Sequence, residues 1–114
     1  MIDFACKRFE LNEVIKCGLA LTKSDLIIMY FLIKNRERLS SLGISKRIGL
    51  DLSTVQRSLK RLYEKNLVIR SQTNLTNGGY VYSYMIRDKK EIRKNIMNVI
   101  NNWVSKVEEE LNRW

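Results

Sequence analysis

The chain has 114 residues and a mass of 13.5 kDa, the length of one domain, and 45% of it is hydrophobic, enough for a packed core. Lys and Arg number 21 against 12 Asp and Glu, giving a formal charge of +9, and histidine is absent. That excludes Ser-His-Asp and Cys-His chemistry and His-ligated zinc; with only two cysteines and this surplus of positive charge, a polyanion-binding protein is expected, not an enzyme.

Residues 1–33 are neutral, with four basic and four acidic groups. The start, Met1-Ile2-Asp3-Phe4, lacks the basic-then-apolar pattern of a secretion signal. Asp3 to Cys17 reads as a helix with Phe4, Leu11 and Ile15 on one face and Gly18 as its stop. Cys6 and Cys17 would lie three turns apart on that helix, too far to bridge, and are expected to be buried or reduced thiols. Thr22 is a good N-cap, and Asp25 makes a variant capping box with it. The helix that follows contains the longest apolar run, Leu26 to Ile33, too short for the ~20 residues of a membrane span. Apolar all round, it is expected to be the central core helix.

Residues 34–94 carry fifteen basic and five acidic groups, a net of +10, so the whole surplus lies here. Ser40 can cap a short helix ending at Ile48, with Gly49 suited to a left-handed C′ position. Asp51 is a strong N-cap for a helix over Leu52 to Lys65. Val55, Leu59 and Leu62 form its inward face; Ser53, Arg57, Lys60 and Glu64 lie opposite, with Gln56 and Arg61 at the borders. Such an outward face has the donors and acceptors that major-groove reading uses, and residues near the helix start reach base edges. Val68 to Ile86 reads as a β-hairpin turning at Asn77-Gly78.

The last segment opens at Asp88. Residues 95–114 have a net charge of −1. Ile92, Ile96, Val99, Ile100, Trp103, Val107, Leu111 and Trp114 fall in one wedge of a long amphipathic helix. A chain this short has little core to cover such a stripe, so the stripe is expected to be a homodimer interface, the alternative being that it packs on the chain's own N-terminal and central helices.

The run Ser41-Leu42-Gly43-Ile44-Ser45-Lys46-Arg47-Ile48-Gly49-Leu50-Asp51-Leu52-Ser53-Thr54-Val55-Gln56-Arg57-Ser58-Leu59-Lys60-Arg61-Leu62-Tyr63-Glu64-Lys65-Asn66-Leu67-Val68 resembles the winged helix-turn-helix of prokaryotic transcriptional regulators. The layout is similar to small archaeal regulators of the TrmB and MarR groups, over about Leu21 to Ile86. The resemblance implies a mainly α fold with a small β-hairpin. Residues 1–20 would be an accessory or dimerisation helix, 21–87 the winged helix-turn-helix and 88–114 a C-terminal dimerisation helix. It implies a homodimeric, sequence-specific regulator of double-stranded DNA, cytoplasmic and nucleoid-associated, with no cofactor, no metal and no membrane partner. The helix from Leu52 would enter the major groove, with Ser53, Thr54, Gln56 and Arg57 reading bases. Lys46, Arg47, Lys60, Arg61, Arg70 and Arg87 are the expected phosphate contacts. The alternatives are a low-specificity architectural DNA binder and a winged-helix protein-interaction module. Two features depart from the family pattern. Gly43 replaces a good helix former, at a cost of ~1 kcal/mol relative to Ala. The wing tip, Gln72 to Gly79, has no Lys or Arg, and the Asp-x-Arg wing signature of the MarR group is absent.

Overall fold

The computed structural model describes residues 1–114. Strands β1 (Ile2–Phe4) and β2 (Lys7–Phe9) open the chain, followed by helices α1 (Leu11–Gly18) and α2 (Lys23–Lys34). Strand β3 (Leu39–Ser40) then leads into α3 (Ser41–Ile48) and α4 (Leu52–Glu64). Strands β4 (Val68–Asn74) and β5 (Tyr80–Ile86) form the wing, and α5 (Lys89–Arg113) closes the chain. The architecture is α+β, of winged-helix type, with a long terminal helix.

The caps account for where the helices begin. The Asp25 N–H donates to Thr22 Oγ1 and the Thr22 N–H donates back to Asp25 Oδ2, so the capping box forms. Ser40 Oγ accepts from the Gly43 N–H and starts α3. Gly49 ends α3 at φ 74°, a left-handed conformation that costs glycine little. Asp51 accepts from the Thr54 N–H and starts α4.

The core lies between α2, α3, α4 and the wing. Ile28, Met29 and Leu32 of α2 meet Ile44, Val55, Leu59 and Leu62, with Leu67, Val68, Tyr84 and Ile86 closing one side. Burying each such large aliphatic side chain stabilises the fold by about 1.5–3 kcal/mol. The three-stranded sheet has the order β3-β5-β4, all antiparallel, with Val68 opposite Ile86 and Asn74 opposite Tyr80.

Three expectations are corrected. The helix expected from Asp3 begins only at Leu11, because Ile2-Asp3-Phe4 pairs antiparallel with Lys7-Arg8-Phe9. The opposed Asp3 and Arg8 form an ion pair at 2.7 Å across that hairpin. Cys6 therefore sits in a turn and not on a helix with Cys17, and both thiols are exposed. Helix α2 is central but not enclosed on every side: Ile27 is exposed, and Leu26, Tyr30, Phe31 and Ile33 are half-buried.

Helix α5 leaves the body of the molecule. Ile92 is buried and Ile96 packs on the core, so these two residues of the expected dimer stripe serve the chain's own core; the rest of the helix projects and stretches the molecule to 63 × 25 × 24 Å. Trp103 is 61% exposed and Trp114 98%, so the chain itself does not cover the stripe beyond Ile100. No helix is long and apolar enough to cross a membrane.

Candidate nucleic-acid interface

Helix α4 is held from behind. Val55, Ser58, Leu59 and Leu62 are fully buried, which fixes the helix's roll and turns Ser53, Gln56, Arg57 and Lys60 to the surface. A second anchor is polar. Asp25 is completely buried, and the Arg61 guanidinium grips it with Nε at 2.9 and 3.1 Å and Nη2 at 2.9 Å. Burial would raise the pKa of Asp25. The hydrogen bonds from Arg61, then Ser58 and Thr22, outweigh it and hold the carboxyl below its ordinary value. Arg61 is thus a structural clamp between α2 and α4, which removes it from the expected phosphate contacts.

The exposed end of α4 is organised around Asp51. Ser53 Oγ donates to Asp51 Oδ2 at 2.6 Å and Thr54 Oγ1 donates to Oδ1 at 2.5 Å, while the Thr54 N–H also donates to Oδ2. The two hydroxyls, aided by that N–H, hold the Asp51 carboxyl at a pKa of about 2. Both hydroxyl protons are committed to the cap. Ser53 and Thr54 therefore face outward with oxygen lone pairs, as acceptors.

Helix α3 delivers Lys46 and Arg47 in its last turn, just before the connection into α4. Ser45 Oγ donates to the Leu50 carbonyl at 2.5 Å and tightens that connection. Arg47 is exposed but pairs with Glu37 at 2.6 Å. Lys46, Arg57 and Lys60 are exposed and take no part in an ion pair. Lys46, Arg47, Ser53, Thr54, Gln56, Arg57 and Lys60 therefore share one region, the α3–α4 junction and the outward face of α4.

Arg70 and Arg87 lie apart from that set. The Arg70 guanidinium is sandwiched between the rings of Tyr63, 4.0 Å away, and Tyr82, 4.2 Å away. Tyr80 packs against Tyr82 in turn in a tilted pair, with ring centroids 5.0 Å apart, so the row runs from α4 toward the wing tip. Arg70 thus fastens the wing to the C-terminal half of α4. Arg87 follows β5 at the root of the wing, where its N–H donates to the Leu67 carbonyl. Leu67 is itself tied back to the Leu62 carbonyl in the last turns of α4, so whereas Ser53 is at the start of that helix, Arg87 lies by its C-terminal end. Lys65 works near that end, donating to the carbonyls of Leu19 and Ala20 and so capping α1. No local pattern in the sequence signals the Asp25–Arg61 clamp or the Arg70 sandwich. Asp25 shows only as a cap, and Arg70 and Tyr82 are twelve residues apart with no local pattern to link them.

The DnaD N-terminal domain family matches residues 9–107, most of the chain. The protein belongs to that family. The winged-helix layout expected from the sequence holds, and the family matched is the DnaD N-terminal domain, where the sequence resembled the TrmB and MarR groups. The DnaD-type chain is 46% identical to a protein of Methanosarcina mazei Go1 named as a possible transcriptional regulator. Their structures superpose with a TM-score of 0.95, covering 100% of this chain and 96% of the other. A protein from Sulfolobus tokodaii shares the fold at a TM-score of 0.69 and 24% identity, covering 83% of this chain and 92% of its own. An uncharacterized protein of Methanocaldococcus jannaschii is 29% identical over 90% of this chain and 77% of its own length.

Proposed function

We propose that the protein is a homodimeric, sequence-specific double-stranded DNA-binding regulator of transcription. The observation that carries this reading is the outward face of α4, on which Gln56, Arg57 and Lys60 stand exposed beside the hydroxyl oxygens of Ser53 and Thr54. Arg57 matches guanine O6 and N7, Gln56 matches adenine, and the hydroxyl oxygens accept from base amino groups or bound water. Lys46, Arg47 and Lys60 supply phosphate contacts around that helix, and they account for part of the central charge surplus. The relative named as a possible transcriptional regulator supports the same reading. A DNA partner places the protein in the cytoplasm, at the nucleoid.

The neutral wing tip, with Asn74, Thr76, Asn77 and glycines but no cation, contributes shape and amide groups and no charge. The projecting stripe of α5 supports the dimer. Val99, Trp103, Val107, Leu111 and Trp114 are all exposed on the projecting part of that helix, and a second copy of the same stripe would bury them. Residues 88–114 are then the dimerisation element, and two α4 helices would read half-sites ~10 bp apart.

Fluorescence anisotropy with a labelled duplex pool, titrated between about 50 and about 200 mM salt, tests DNA binding itself. The reading expects affinity to fall steeply with salt. Binding that is absent at the lower salt would instead favour a protein-interaction module.

A further inference from the structure

A second basic feature lies at the root of the wing. Asn66, two residues past α4, Arg87, after β5, and Glu91, Lys94, Asn95 and Asn98 of α5 line a pocket of about 260 Å³ without a single apolar side chain. Asn66 adopts φ 59°, which the asparagine tolerates, and its carbonyl accepts from Asn95 Nδ2 at 3.5 Å, closing the pocket floor across α4 and α5. Arg87 Nε is buried and hydrogen-bonds to nothing in the protein. Its guanidinium reaches only Glu91, at a long 3.4 Å. A buried N–H on a cation left in this way is costly unless something accepts from it.

We infer that this pocket binds a small free oxyanion, such as a phosphate ester or a polyhydroxy carboxylate. Arg87 and Lys94 carry two positive charges against the single negative charge of Glu91, so the lining favours an anion. Three carboxamides add donors for the remaining oxygens, and Glu91 and the amide oxygens accept from ligand hydroxyls. The absence of apolar lining excludes a ring- or chain-bearing hydrophobic effector. The site is separate from the outward face of α4 and does not depend on the DNA-binding reading. Because its walls come from the turn after α4, the end of β5 and the first turns of α5, a bound anion ties the terminal helix to the wing root.

The probe is inorganic phosphate, titrated into the full chain at constant ionic strength with chloride, while side-chain amide and Arg Nε–H resonances are followed by NMR. The expected result is saturable shifts confined to Asn66, Asn95, Asn98 and Arg87. Arg87→Gln should weaken the binding about tenfold, which is ~1.4 kcal/mol. Asn98→Asp, on the exposed side of α5, should weaken it similarly by adding a repelling carboxylate, and Lys23→Gln should leave it unchanged. Shifts that do not saturate, that spread over the basic surface, or that survive both pocket substitutions would overturn the inference. A duplex oligonucleotide arm separates the two sources of phosphate. If DNA moves these resonances and inorganic phosphate does not, the pocket is a DNA-backbone contact and the free-anion site is wrong.

Discussion

At the scale of single residues, two cations one turn apart on α4 do different work. Arg57 ends in solvent on the outward face of α4, while Arg61, one turn on, turns inward to Asp25. Arg57→Ala is expected to lower affinity for a specific duplex by ~1–3 kcal/mol and relax the preference at one base pair. Lys60→Ala should weaken all duplexes alike and reduce the salt slope by ~1, which anisotropy at several salt concentrations measures. Arg61→Met acts on the fold instead. Removing one partner of a fully buried pair costs ~3–5 kcal/mol, and with part of the guanidinium solvated about 2–3 kcal/mol is expected here, read from urea unfolding. The pH dependence follows from the direction of the Asp25 shift. Its folded pKa lies below the ordinary value of 3.8, so the folded chain holds fewer protons than the unfolded one in that range. The stability it contributes is complete above 3.8 and is lost as pH falls from there through the folded value. Unfolding midpoints measured on the acid side should therefore drop more steeply in the wild type than in Arg61→Met. Equal slopes would contradict the clamp.

At the scale of elements, local chemistry explains what could be read from the sequence. Thr22, Ser40 and Asp51 each place a side-chain oxygen where a helix has free N–H groups, and all three caps form. Gly49 and the glycines at 78 and 79 take positive φ, where a turn or helix stop demands it. The elements that were missed lack such local signals. The β1–β2 hairpin turns at Ala5-Cys6, without Asn or Gly, and its apolar residues also fit a helical spacing. The cross-strand opposition of Asp3 and Arg8 was the available clue. Strand β3 is two residues long and exists only because β5 offers it an edge, Leu39 opposite Tyr84. Of the candidate site, the α4 face was legible because it follows from helical period and capping. The diversion of Arg61 and Arg70 was not, because their partners are set by tertiary packing. For the wing, Arg70→Ala should remove the bridge between Tyr63 and Tyr82 and speed amide exchange in β4 and β5 with α4 unchanged. Unaltered exchange in the wing would show that the sandwich does not hold it.

At the scale of the whole molecule, length and charge fall into complementary parts. The basic middle of the chain forms the winged unit and the root of α5, and the weakly acidic end forms the projecting part of α5. An extent of 63 Å for a chain of this size is the consequence of that helix leaving its own core. The proposed dimer places the exposed tryptophans against a second copy, and Trp103→Glu should convert a dimer to a monomer by light scattering. A wild type that scatters as a monomer at micromolar concentration would end the dimer reading and, with it, the paired half-sites. The central claim is that the first two turns of α4 read base sequence. Selection of bound duplexes from a random pool at about 150 mM salt with competitor, run in parallel on the wild type and Arg57→Ala, tests it most directly. The account predicts an enriched motif with two half-sites in the wild type and loss of preference at one position in each half-site in the variant. No enrichment in the wild type, or the same motif from both proteins, would contradict it.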